Sequence, residues 1–155
     1  MLGVQKARSE HIPVMCDLLT ELFQMEKDFT AGSQVEKMRA GLNMIISNPD
    51  SGQLLLLLEN NQIIGMANLL YSISTAEGGK VIVLEDFILS STERGKGYGK
   101  FFMKEIIRFA KEHGFLRITL LVDADNPTAQ RFYEGVGYEY SNMKCMRVNV
   151  NETST

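Results

Sequence analysis

Long apolar runs are missing from this sequence. Leu54–Leu58 is a block of five leucines, whereas a membrane-spanning helix needs about 20 apolar residues in succession. No membrane association is expected. Met1-Leu2-Gly3-Val4 runs directly into Gln5, Lys6 and Arg8, without the apolar core of a secretory leader. Cysteine is scarce: Cys16 and Cys145 are the two in the chain. They are far apart and lack metal-ligand spacing, so neither a disulfide framework nor a metal site is expected, and a reducing cytoplasm is the expected location. An excess of basic charge is also missing. Sixteen Lys and Arg face 19 Asp and Glu, for a net charge of −3, and no basic block stands out. Nucleic-acid binding along a phosphate backbone is therefore not expected. His11 and His113 are the two histidines, and neither has metal-ligand company. Ser90 and Ser91 lack a nearby histidine, which argues against a serine nucleophile. Repeats, linkers and low-complexity segments are absent.

What is present suits one globular unit. The 155 residues are 45% hydrophobic and 23% charged, enough for a sizeable core. A single domain over residues 1–150 is expected, with 151–155 as a disordered tail. Val4–Ala7 reads as a short strand. Ser9 is a candidate cap for a helix presenting Ile12, Met15, Leu18, Leu19, Leu22 and Phe23 on one face, with Pro13 in its first turn. Residues 25–34 read as a polar loop. Val35, Met38, Leu42, Ile45 and Ile46 mark a second helix, ended by the Asn48–Gly52 turn. Gln53–Glu59 is a buried strand, Asn60-Asn61 a tight hairpin turn, and Gln62–Ile73 the partner strand with Gly65 as its bulge.

Val81–Leu89 reads as the central strand. A helix follows to about His113, with Gly114 beyond its end, and then a strand over Arg117–Val122. Asn126-Pro127 joins a favoured cap to a favoured first helical residue. Gly135 ends that helix, and Val136–Tyr140 with Lys144–Val150 read as a closing antiparallel pair. The fold class expected is α/β. It has a single mixed, mostly antiparallel sheet, one parallel β-α-β crossover, and helices on both faces.

The stretch Leu84–Gly99 carries the chemistry. It starts as an apolar strand and ends in a turn with glycine at 95, 97 and 99, feeding a helix. Such a turn is an anion site: free N–H groups and the helix dipole favour negative charge, and glycine lets a phosphate come close. The dinucleotide fingerprint fails because Lys100 stands where its third glycine belongs, and the P-loop fails at Arg94 and Phe101. What remains is Arg94-x-x-Gly97-x-Gly99. It resembles the pyrophosphate signature [Q/R]-x-x-G-x-[G/A] of the GCN5-related N-acetyltransferases, which bind coenzyme A. About thirty residues on, Asn126-x-x-Ala129-x-x-x-Tyr133-x-x-x-Gly137-Tyr138 matches the same family's second signature. The resemblance covers residues 81–150 well, and the first eighty fit by element order.

The resemblance implies an acetyl-CoA-dependent N-acetyltransferase fold and activity, with direct transfer to a primary amine in a ternary complex. It implies that Phe87, Ile88 and Leu89 offer main chain to the pantetheine arm where two parallel strands splay. Arg94, Gly95, Lys96, Gly97, Tyr98, Gly99 and Lys100 would surround the pyrophosphate, and Asn126 and Ala129 would lie along the arm. Leu84-Glu85-Asp86-Phe87 further resembles the Leu-Glu-Asp-[Ile/Phe] segment of the polyamine N-acetyltransferase branch, in which the Glu is the base; that points to Glu85. Tyr133 is implied as the acid that protonates the leaving thiolate. Glu21, Glu26 and Asp28 fall where the family's acceptor groove is walled, which suits a small cationic amine. Polyamine, amino acid, aminoglycoside and protein amine all stay open as acceptor, as do monomer and homodimer. A non-catalytic acyl-CoA sensor is the alternative from another class. By strand alternation alone, Glu85 and Asp86 are expected on opposite faces.

Overall fold

The computed structural model describes residues 1–25 and 34–152. Its order is β1 (Leu2–Lys6), α1 (Ile12–Met25), α2 (Val35–Ser47), β2 (Gly52–Glu59), β3 (Gln62–Ser74), β4 (Gly79–Leu89), α3 (Tyr98–Glu112), β5 (Ile118–Leu120) and α4 (Pro127–Gly135), with short 3-10 turns between and after them. The strands form one sheet in sequence order, β1-β2-β3-β4-β5. The first three pairings are antiparallel and β4 with β5 is parallel. The mixed sheet with one parallel crossover is as expected.

Two apolar clusters clothe the sheet. On one face α1 and α2 place Ile12, Met15, Leu18, Leu19, Met38 and Leu42 over Leu54, Leu56, Met66 and Ile88. On the other, α3 places Phe102, Met103, Ile106 and Ala110 over Leu55, Leu57, Ala67, Leu69, Ile82 and Leu84. The five-leucine run of β2 is thus shared between the two cores by alternation, which explains why it is apolar throughout. Asn60 and Asn61 both have positive φ (51° and 68°), the backbone that a two-residue type I′ hairpin requires and that Asn tolerates. The β2–β3 register slips where Leu57 faces Gly65 and Leu58 faces Ile63, so the bulge sits at Ile64, beside the expected glycine.

Three expectations are corrected. Ser9 does not cap α1; it opens a 3-10 turn in which the Arg8 N–H donates to His11 Nδ1 at 2.9 Å. Strand β5 spans Ile118–Leu120, shorter than 117–122. The closing antiparallel pair over Val136–Tyr140 and Lys144–Val150 does not form. Instead the Tyr138 N–H bonds the Tyr133 carbonyl in the turn that leaves α4, Tyr140 donates to Gln130 on that helix, and Met143, Met146, Val148 and Val150 stand exposed. Alternating apolar residues specify a strand only where an edge can receive it, and a three-residue β5 offers little edge. Residues 153–155 of the expected tail lie outside the described residues.

Packing of β2 on β3 is tight at Gly52, where a Cβ would stand 2.4 Å from the Leu69 carbonyl oxygen. That neighbour is backbone and cannot yield cheaply. Gly52→Ala is expected to lower stability by about 1–3 kcal/mol, the usual cost of overpacking, read as a lower urea midpoint with an unchanged m-value.

Candidate active site

β4 is paired to β3 along its whole length, but to β5 only from Ile82 to Leu84. Beyond Leu84 the two parallel strands part. The side of Glu85–Leu89 that would face β5 therefore has no strand partner, and its backbone groups need one or need water. Phe87 fills the space beneath, with ring centroids 5.4 Å from Phe102, 5.8 Å from Phe132 and 6.3 Å from Tyr133. Phe87, Ile88 and Leu89, expected to offer main chain, all lie on this parted segment.

The glycine turn closes one end. Gly95 and Gly97 have φ of +83° and +79°, and α3 begins at Tyr98. No side chain caps that helix, and a Cβ added at either glycine would meet nothing within 4 Å. Among the described residues no side chain caps the first-turn N–H groups of α3, the arrangement an anion would require. Gly99 has a different reason: a Cβ there would lie 3.2 Å from the Phe132 ring, so it lets α4 close on α3. The cations are partly committed. Arg94 Nε donates to the Leu89 carbonyl at 3.1 Å, and Nη1 to Met25 Sδ at 3.5 Å. Lys96 pairs with Glu93 at 2.9 Å and sits 5.8 Å from the Tyr98 ring. Lys100 is exposed.

α4 forms the other wall. Asn126 Oδ1 accepts from the Ala129 N–H at 3.0 Å, so Asn126 is the cap its sequence implied. Tyr133 lies two turns on, edge-on to Phe132 and Tyr138 at 5.3 and 5.7 Å. Burial, with Tyr133 beside it, pushes the Tyr138 phenol far above its ordinary range; it donates to Met103 Sδ.

The acidic pair on β4 departs from simple alternation. Asn68 faces Asp86 while Leu69 faces Leu84, so Glu85 is an extra residue, a bulge. Leu84 and Phe87, three apart, both pack on the α3 side, and Ile88 packs on the α1–α2 side. The two residues between Leu84 and Phe87 therefore both turn toward the α1–α2 face, not to opposite faces. Asp86 is half-buried and Glu85 exposed. Asn68, 6% exposed, donates from Nδ2 to Asp86 Oδ2 at 3.1 Å. Glu85, Asp86, Asn68 and Tyr133 all line one groove of about 2540 Å³. That far exceeds the ~300–1,000 Å³ of a single small-molecule site because it extends over residues of both faces of the sheet, β5 and the segment after α4; Phe87–Leu89, the 94–100 turn, Asn126 and Ala129 are not among its lining residues.

Glu21 is not among the groove's lining residues. Its Oε1 accepts from Ser91 at 3.3 Å, beside the glycine turn. Glu26 and Asp28 lie outside the described residues. The sequence reading missed two features. Asn68 is a lone amide in the apolar stretch Met66–Leu70, a signal that was available. Tyr98 donates to Glu59 at the end of β2, a contact with no local signal. Among the described residues no three His, Cys, Asp or Glu gather as a metal site, and no helix is long and apolar enough to cross a membrane.

Residues 15–138 match the model of the acetyltransferase (GNAT) family. A possible acetyltransferase from Clostridium difficile 630 superposes with a TM-score of 0.84 at 13% identity, covering 97% of this chain and 98% of that one. A predicted acetyltransferase from Clostridium acetobutylicum, solved with acetyl-CoA, gives 0.79 at 18% identity over 99% of both chains. An aminoglycoside N-acetyltransferase in complex with CoA gives 0.78 at 14% identity, over 97% of this chain and 95% of that one. At such identities the likeness is one of fold. No curated protein matches the sequence.

The Tyr98–Glu59 bond gives a pH prediction. Accepting from the phenol, Glu59 raises the Tyr98 pKa above its ordinary 10. The neutral phenol is then favoured by the fold, so its contribution to stability is complete below pH 10 and is lost as pH rises through the raised value. Glu59→Gln is expected to return the Tyr98 titration toward 10, followed by phenolate absorbance.

Proposed function

The chain belongs to the acetyltransferase (GNAT) family, and from that premise we propose that residues 1–150 form one domain acting as an acetyl-CoA-dependent N-acetyltransferase on a small cationic primary amine. The observation that carries the reading is the parting of β4 from β5 next to an uncapped, glycine-lined helix N-terminus. An extended arm can add to the exposed edge of Phe87–Leu89 as a strand would. A pyrophosphate fits at the first turn of α3, where Gly95 and Gly97 leave open space and backbone N–H groups supply donors. The acetyl-CoA and CoA found with two proteins of this fold support the same ligand here.

In this reading the amine meets the thioester beside the parted edge of β4. Glu85, exposed on the bulge, takes a proton from the ammonium directly or through water. The nitrogen lone pair attacks the thioester carbonyl, the C–S bond breaks, the thiolate takes its proton from the Tyr133 hydroxyl, and the second proton of the attacking nitrogen passes through water to restore the Tyr133 phenol, leaving a neutral amide and the free thiol. A phenol is a donor of the kind that a departing thiolate can use. The aminoglycoside acetyltransferase among the similar folds supports a small amine as acceptor, and the Leu84–Phe87 resemblance favours a polyamine.

Calorimetry with coenzyme A, against ATP and NAD, tests the cofactor. Gly97→Asp sets a carboxylate at the proposed pyrophosphate and is expected to weaken coenzyme A by at least about 1–3 kcal/mol; an unchanged affinity in the folded variant rejects the site. Thiol release with a panel of amines tests the reaction. Glu85→Gln is expected to lower kcat/KM by roughly 10²–10⁴-fold, less at high pH where free amine is abundant. Tyr133→Phe is expected to spare acetyl-CoA affinity and lower kcat by roughly 10–10³-fold. Coenzyme A binding without turnover of any amine would favour the sensor reading.

A further inference from the structure

The bulge in β4 turns a second carboxylate, Asp86, to the same side as Glu85, and that carboxylate is held. Asn68 stands directly across the strand pair from Asp86 and grips its Oδ2 through Nδ2 at 3.1 Å. An amide in the middle of a buried strand is costly unless it is bonded. Asn68 is more than nine-tenths buried, and its Oδ1 has no partner among the described residues. It lines the groove with Asp86 and Glu85, under Leu19 and Met38 of the two helices. A core of leucine and methionine needs no amide there. The arrangement is explained if Asn68 serves to orient Asp86.

We propose that Asp86, positioned by Asn68, is the fixed anion that receives a positively charged group of the acceptor, and so sets the site's preference for cationic amines. This inference rests on the acetyltransferase reading for the word acceptor, but not for the binding it describes. Its basis is a division of labour between two carboxylates. Glu85 is exposed on the bulge, where water reaches it as it must reach a proton carrier. Asp86 is half-buried and bonded to a buried side chain, that of Asn68. A held carboxylate in a partly desolvated wall binds an ammonium more strongly and more selectively than a mobile surface one. The ligand class is an organic ammonium, recognised by charge and by N–H donation to Asp86.

The test is equilibrium binding followed by amide chemical shifts, which needs no turnover. The probe is 1,4-diaminobutane, with 1,4-butanediol as its uncharged counterpart, each titrated with and without coenzyme A. The wild-type protein is expected to bind the diamine, with shifts centred on residues 66–70 and 83–88, and not the diol. Asp86→Asn keeps the shape and is expected to weaken the diamine by about 10-fold or more, with a smaller response to added salt. Asp86→Glu should recover part of the loss. Asn68→Leu is expected to weaken the diamine by several-fold while coenzyme A affinity and the Gly97 signals stay as in the wild type. Where Asn68→Leu does not fold, Asn68→Ser keeps a donor in less volume and should bind between the two. Equal diamine affinity in wild type and Asp86→Asn, or diol binding as well as diamine, overturns the proposal. So does the absence of diamine binding to a wild-type protein that takes coenzyme A. Diamine binding that depends on Asp86 in a protein that refuses coenzyme A would uphold the anion site and reject the acetyltransferase reading.

Discussion

One strand serves two partners unequally, and the architecture follows from that. β4 runs from Gly79 to Leu89 and is bonded to β3 throughout, yet β5 accompanies it only from Ile82 to Leu84. An unpaired backbone edge inside a protein carries a free-energy penalty on the order of 1–3 kcal/mol per unsatisfied group. A fold that keeps such an edge must let water or a ligand reach it. Here the opening is held from beneath by Phe87 against Phe102 and Phe132, so it cannot collapse by bringing α4 onto the strand. The aromatic wedge and the open edge are two aspects of one arrangement.

The second irregularity of β4, the extra residue at Glu85, follows from the need to serve both cores. Ile82 and Leu84 face α3 before it, and Phe87 and Leu89 face α3 after it. Without an added residue the phase of one half would be wrong, and Phe87 would point away from Phe102. A bulge corrects the phase at a small cost in pairing and turns two adjacent acidic residues to the same face. Asn68 then stabilises the geometry across the strand. Packing of one face thus dictates the chemistry offered on the other.

Much of this was legible in the sequence. The helices announced themselves by periodicity, α4 by Asn126-Pro127, and the hairpin by Asn60-Asn61, because each is set by contacts within a few residues. Glycines 95 and 97 marked the turn into α3 for the same reason. Three things were not legible. The facing of Glu85 and Asp86 depends on a register shift against β3, eighteen residues away in the case of Asn68 and Asp86, and no local pattern reports it. The reach of β5 is set by its pairing with β4, which ends at Leu84, so the six residues 117–122 produced three residues of strand. Met146, Val148 and Val150 alternate as a strand would, but alternation describes what a segment can pair with, not whether a partner edge is there. Gly99 was read as making room for a phosphate, and its closest neighbour is the Phe132 ring.

Electrostatics close the argument for how a chain of net charge −3 can hold an anion. Long-range attraction does not help, and the nearest cations are engaged: Arg94 with the Leu89 carbonyl and Lys96 with Glu93. The Glu93 bond raises the Lys96 pKa and keeps its charge, but much of that charge is spent locally. What remains at the turn is the exposed Lys100 and backbone. The uncapped N–H groups of α3 carry the positive end of a fifteen-residue helix, worth about half a unit charge where they converge. Such donors need no side-chain ordering and exclude nothing by shape, provided that no Cβ intrudes. The requirement at the glycine turn is therefore for the absence of atoms, at Gly95 and Gly97. At Asp86 it is for an atom held in place. In the proposed function such a site takes its anion by backbone and its cation by side chain, with the parted edge of β4 lying between the two.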